Sequence, residues 1–113
     1  MLLRREALEE AEGFDTSFFM YDEEVDLAFR LRQRGWDVLY YPHAEFVHVG
    51  GGSTRQRPRE MYREQLRSHI RFLDKHHGRA SAERGLRSWR AYPKYGITAV
   101  TDCADARFSA STR

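Results

Sequence analysis

One cysteine, Cys103, among 113 residues excludes an internal disulfide and makes a reducing compartment the simpler setting, so the sequence reads as cytoplasmic. Zinc is poorly served as well: His43, His48, His69, His76 and His77 form no ligand spacing with one another or with Cys103. No apolar run approaches the roughly 18 residues that a membrane span needs. The start, Met1-Leu2-Leu3-Arg4-Arg5, turns acidic by Glu6 and lacks the apolar core of a signal peptide. There is no internal repeat. No nucleotide-binding glycine signature is present either. Gly50-Gly51-Gly52-Ser53-Thr54 is not closed by Gly-Lys-Ser/Thr, and no G-x-G-x-x-G follows a first strand.

What is present fits one small soluble domain or a piece of a larger one, with 41% hydrophobic, 13% aromatic and 32% charged residues. The net charge of +2 conceals an asymmetry. Residues 1–50 carry 5 Lys+Arg against 11 Asp+Glu, a net of −6, while residues 51–113 carry 14 against 6, a net of +8. An acidic site followed by a basic surface is one reading, the basic half facing phosphates or an anionic membrane. A solvated arginine-rich helical surface is the plainer one.

Periodicity predicts a helix over 2–12, with Leu3, Ala7 and Leu8 on one face and Gly13 as its stop. A second helix is expected from Asp22 to Arg34. Its acids fall in the first turn and its arginines in the last, Asp26 and Arg30 form an i,i+4 pair, and Gly35 lies just past the end. Trp36–Tyr41 and Ala44–Val49 read as short strands around Pro42. Pro58 starts a long helix through Lys75 with Leu66, Ile70, Phe72 and Leu73 as its apolar positions, and 80–89 forms a further short helix. The expected class is therefore α/β. Its segments are 1–77, a helical extension over 78–100 and a frayed tail over 101–113. Two short strands make a thin sheet whose apolar faces call for more strands than the chain supplies.

The chemistry concentrates between Gly13 and Ser53. Four carboxylates, Asp22, Glu23, Glu24 and Asp26, lie beside the aromatic run Phe18-Phe19-Met20-Tyr21. A carboxylate at an aromatic border can have a raised pKa and act as a general base on a hydroxyl, although acids in a first helical turn also simply complement the helix dipole. Alternation places His48 with Phe46 on one strand face, where a ring nitrogen could meet a divalent metal. The glycine loop that follows leaves backbone N–H groups free to approach an anion, with Arg55 and Arg57 close behind.

In order, Gly13-Phe14-Asp15, Phe18-Phe19-Met20-Tyr21, Glu23-Glu24-Val25-Asp26-Leu27, Arg30-Leu31, Gly35-Trp36, Tyr41-Pro42 and His48…Gly51-x-Ser53 resemble the C-terminal half of family 2 glycosyltransferases. The nearest branch is the rhamnosyl- and galactofuranosyl-transferase type with the GT-A fold, and the likeness covers residues 1–77. It implies inverting transfer from a nucleotide-diphospho-sugar to the hydroxyl of a glycan or lipid-linked acceptor in cell-wall or surface polysaccharide synthesis. It further implies Glu24 as general base, with Glu23 and Asp26 shaping the acceptor pocket. Trp36, Gly51 and Ser53 would contact substrate, and His48 would help hold Mn²⁺ or Mg²⁺ on the diphosphate.

Two positions depart from that family's pattern. Glu23-Glu24 stands where Glu-Asp is usual, and Glu12 stands where a glycine commonly precedes Gly13. The Asp-x-Asp metal motif of the family's N-terminal half is absent from the sequence, so the resemblance implies the acceptor-side portion of such an enzyme, its other half missing or supplied by a second chain. Two readings stand beside it. One is a small basic module for nucleic acid or anionic membrane, built on Arg55, Arg57, Arg59, Arg63, Arg67 and Arg71, though Tyr62 and Phe72 are the only aromatics there for stacking on bases, so no specific nucleic acid is expected. The other is a non-catalytic partner of another chain.

Overall fold

The first helix is short because only one turn and a half of the expected segment has both helical pattern and a face to bury. The structure is a computed structural model that describes residues 1–47 and 57–90, and in it α1 spans Arg5–Glu10. It is followed by α2 (Glu23–Gln33), α3 (Pro58–His77) and α4 (Arg79–Arg90). The chain divides into two units, Met1–His69 and Ile70–Arg113, with α3 contributing to each.

In the first unit, Ala7 and Ala11 on one side and Leu27 and Leu31 on the other form the buried cluster. Both pairs are spaced i,i+4, so each presents a single stripe. Alanines keep the α1 stripe low, which lets Leu27 reach 0% exposure. Leu3, Leu8 and Trp36 pack around this cluster.

Both helices end in the same hydrogen-bond pair. At α1, the Gly13 N–H donates to the Leu8 carbonyl and the Glu12 N–H to Glu9, each at 2.9 Å. At α2, the Trp36 N–H donates to Leu31 and the Gly35 N–H to Arg32, each at 3.0 Å. This is the Schellman arrangement, which satisfies orphan carbonyls and places the first residue past the cap in the left-handed region. Gly35 occupies that position at φ 87°, and Glu12 occupies its counterpart at φ 57°. Trp36 then folds back over its own helix, the apolar contact that commonly accompanies the motif.

Asp26 and Arg30 do form their i,i+4 pair, Nε to Oδ2 at 2.7 Å, but inside the structure. Asp26 has no exposed side-chain surface, and 13% of Arg30's is exposed. The rest of the guanidinium donates to the Ala11 and Gly13 carbonyls, the latter at 2.7 Å. One cation thus neutralises a buried carboxylate and closes the C-terminal end of α1, the end a helix dipole makes negative.

In the second unit, Gly78 (φ 76°) turns the chain between α3 and α4. Ala82, Gly85, Leu86 and Trp89 share one face of α4 by their spacing. A Cβ at Gly85 would lie 2.6 Å from Leu73 Cδ1 and 3.2 Å from Ile70 Cδ1, so the two helices approach here only because the side chain is missing. Arg79, Arg84 and Arg87 are exposed.

The expected strands call for a correction. Among the described residues of Trp36–Tyr41 and 44–47 no strand forms; residues 48 and 49, the end of the second one, lie outside the described residues. A helix closes its backbone hydrogen bonds within itself, whereas a strand needs a neighbour to take its N–H and C=O groups. Leu39, Tyr40, Phe46 and Val47 are instead solvent-exposed. The described residues are helix and loop, so the α/β expectation is not met within them.

Candidate functional site

The acidic segment reaches the surface through a bend that local chemistry builds. The Asp15 carboxylate accepts the Ser17 N–H at 2.8 Å, and the Asp15 carbonyl accepts the Phe18 N–H at 3.2 Å. That turn sends Phe18 inward, while Phe19 is left in solvent. Tyr21 (φ 67°) and Asp22 (φ 61°) then take the left-handed conformation in succession, and α2 begins at once. The reversal aims the first turn of α2 back across the loop. Phe14, Met20, Tyr21, Glu23 and Glu24 line the open cleft that results, of about 560 Å³.

Three apolar walls and two carboxylates define what this cleft accepts. Glu24 is exposed. Glu23 Oε2 has no accessible surface and no hydrogen-bond partner. A buried unpaired carboxylate oxygen is costly, on the order of 1–3 kcal/mol or more. Hydroxyl groups can donate to the exposed Glu24 carboxylate, and a ligand with hydroxyls on one side and C–H surface on the other would match both kinds of wall. An anionic group would be repelled.

Asp22 stands in the chain between Tyr21 and Glu23, which line the cleft, and does not line it itself. Burial pushes its carboxyl above the usual carboxylate range, His69 pulls it down, and the charges of Glu24 and Glu23 push it up. Its Oδ2 lies 3.7 Å from His69 Nδ1 on α3. At the next residue along, Ser68 Oγ donates to the Met20 carbonyl at 2.6 Å.

The expected site residues therefore separate. Glu23 and Glu24 share the cleft. Asp26, one turn on, does not line it: this carboxylate is sealed against Arg30 and can shape the site only through the helix it anchors. Trp36 is half-buried, its indole N–H donating to Glu10 at 2.8 Å, and it packs on the α1–α2 cluster. Neither residue is among those lining the cleft. His48, Gly51 and Ser53 lie outside the described residues. Among the described residues no group of three or more His, Cys, Asp or Glu could hold a metal ion, so Mn²⁺ or Mg²⁺ has no donor set there. Sequence reasoning passed over Phe14, Ser68 and His69. Phe14 carried a signal, since it opens the loop directly after a helix stop.

No helix among the described residues is long and apolar enough to cross a membrane. Residues 1–81 match the family model described as glycosyltransferase like family 2. The N-acetylglucosaminyl-diphospho-decaprenol L-rhamnosyltransferase of Mycobacterium tuberculosis (strain CDC 1551 / Oshkosh) is 40% identical over 79 residues, which is 69% of this chain and 26% of that protein. The rhamnosyltransferase WbbL of Escherichia coli (strain K12) is 33% identical over 73 residues, 65% of this chain and 28% of that protein. The chain thus spans about a quarter of the length of the curated relatives it matches. No solved structure gives a significant match.

Proposed function

The chain belongs to glycosyltransferase-like family 2, and from that premise we propose that it supplies the acceptor side of an inverting sugar-transfer site. In this reading the cleft holds a sugar acceptor, with Glu23 at its wall and the exposed Glu24 removing the proton of an acceptor hydroxyl. That oxygen attacks the anomeric carbon of the donor sugar from the face opposite the nucleotide diphosphate, which leaves with the bonding electrons. The observation that carries it is the pairing of Glu23 and Glu24 in one cleft whose other walls are Phe14, Met20 and Tyr21.

The finer terms belong to the same proposal. The names of the relatives favour a rhamnosyl donor and a lipid-linked amino-sugar acceptor in cell-wall polysaccharide synthesis. The donor side, the GT-A sheet and any metal ligands then lie in the three quarters of the relatives' length that this chain does not span, apart from His48 and the Gly51–Ser53 loop, which would face the diphosphate. A lipid-linked acceptor sits at a bilayer, and the exposed Arg79, Arg84 and Arg87 of α4 offer its anionic surface a cationic contact.

Two measurements test the reading. With the donor-binding region supplied in cis or in trans, Glu24→Gln is expected to keep nucleotide-sugar affinity and lower turnover by at least roughly a hundredfold. Near-wild-type turnover removes Glu24 from the mechanism. Calorimetric titration of the 113-residue chain with uridine- and thymidine-diphospho-sugars and Mn²⁺ is expected to give no heat of binding. Micromolar binding would mean that the chain builds a donor site of its own.

A further inference from the structure

The bend at Met20–Asp22 is expensive and does not hold itself. Tyr21 and Asp22 are both in the left-handed region, which is sterically unfavourable for a residue that bears a Cβ, and neither is glycine. Asp22 is also the N-cap of α2, a place where aspartate ordinarily accepts an N–H of the first turn. Here its side chain makes no capping bond. The carboxylate is turned away from its own helix toward His69, and the carbonyl two residues earlier is held by Ser68. Two successive residues of one distant helix therefore grip the two ends of the strained segment. That segment contributes Met20 and Tyr21 to the cleft and leads directly into Glu23 and Glu24.

We propose that Ser68 and His69 are positioning residues for the acidic cleft, clamping the Met20–Asp22 bend so that Glu23 and Glu24 stay at its wall. Ser68 is buried and spends its hydroxyl on a backbone carbonyl 48 residues away, which fixes where the loop sits. His69 acts on the carboxylate. Asp22 faces His69 from α3, Oδ2 to Nδ1 at 3.7 Å, and Glu23 and Glu24 from α2; partial burial raises the Asp22 pKa, His69 lowers it, and the two carboxylates raise it. Losing His69 would favour the neutral carboxyl, and the bend would lose its second tether. The inference rests on the cleft being the acceptor site, but its test needs no turnover.

The full 113-residue chain is suited to carbon-detected NMR of the Asp22, Glu23 and Glu24 carboxyls as a function of pH, alongside backbone amide spectra. His69→Gln is expected to move the Asp22 midpoint further up, and His69→Lys to bring it back, because charge rather than ring shape is what Asp22 senses. Ser68→Ala is expected to shift the amides of residues 21–24 while those of Leu27 and Leu31 stay in place. Should Ser68→Ala unfold the chain, Asp22→Asn cuts the other tether and is expected to displace the same amides. An Asp22 midpoint unchanged in His69→Gln, a lysine that fails to restore it, or residues 21–24 unmoved in whichever variant folds would each overturn the clamp. A clamp that holds while Glu24→Gln leaves turnover unchanged would remove Glu24 as the base and leave the clamp standing.

Discussion

The C-terminal ends of α1 and α2 solve one problem with different means. Each closes with the same pair of backbone bonds, each needs a left-handed residue, and each is followed by a residue that turns back along the chain. At α2 the left-handed residue is Gly35, which adopts that conformation without steric cost, and the motif is completed by Trp36 packing. At α1 the same place is filled by Glu12, so the backbone is strained and something else must compensate. That role falls to Arg30, which reaches from α2 to the Ala11 and Gly13 carbonyls on either side of Glu12. A helix end can therefore be specified by its own residue or by a side chain from a neighbour. The second choice ties the local motif to tertiary structure.

The sharpest way to break this comparison is Arg30→Ala. It takes the Arg30 cation away from the Asp26 carboxylate, which is at 0% exposure, and removes the donor to two carbonyls at the end of α1. Removing one partner of a buried pair typically costs about 3–5 kcal/mol, a large share of a small domain's stability, and urea unfolding should show it. A loss below about 1 kcal/mol would mean that the end of α1 does not depend on α2. Next comes Gly35→Ala. No atom lies within 4 Å of the added methyl, so the expected loss of about 1 kcal/mol is purely conformational. A neutral result would show that the α2 end relaxes out of the left-handed region. The smallest effect has the opposite sign: Glu12→Gly should raise stability by about 0.5–1 kcal/mol in the same denaturation experiment. Equal losses from Gly35→Ala and Glu12→Gly would erase the distinction between the two ends.

These two ends also show what a sequence can disclose. Gly35 was readable as a helix stop, because glycine after a basic last turn is a local signal. The Asp26–Arg30 spacing was readable too, as an i,i+4 pair; its burial depends on α1, and no pattern within α2 reports that. The helices were legible since their hydrogen bonds run four residues apart, though α1 came out shorter at both ends than its periodicity implied. Strands at 36–41 and 44–49 were read from residue type and pattern, and neither can supply the neighbour a strand must pair with. The acidic pair at Glu23-Glu24 stood out, and it does line a cleft. The residues that set its geometry did not stand out, because Ser68 and His69 meet the bend across nearly fifty residues of chain.

The unpaired stretch after Trp36 has a consequence for how the molecule behaves in bulk. Leu39, Tyr40 and Val47 are 84%, 89% and 96% exposed, and such side chains gain free energy whenever two copies meet. Pro42 and the charge on Glu45 disfavour continuous strand pairing between copies. Association of the folded chain through these side chains would link folding to mass action. The expected signature is a midpoint of thermal unfolding that rises with protein concentration, and a ligand or partner strand that covers these side chains should remove it.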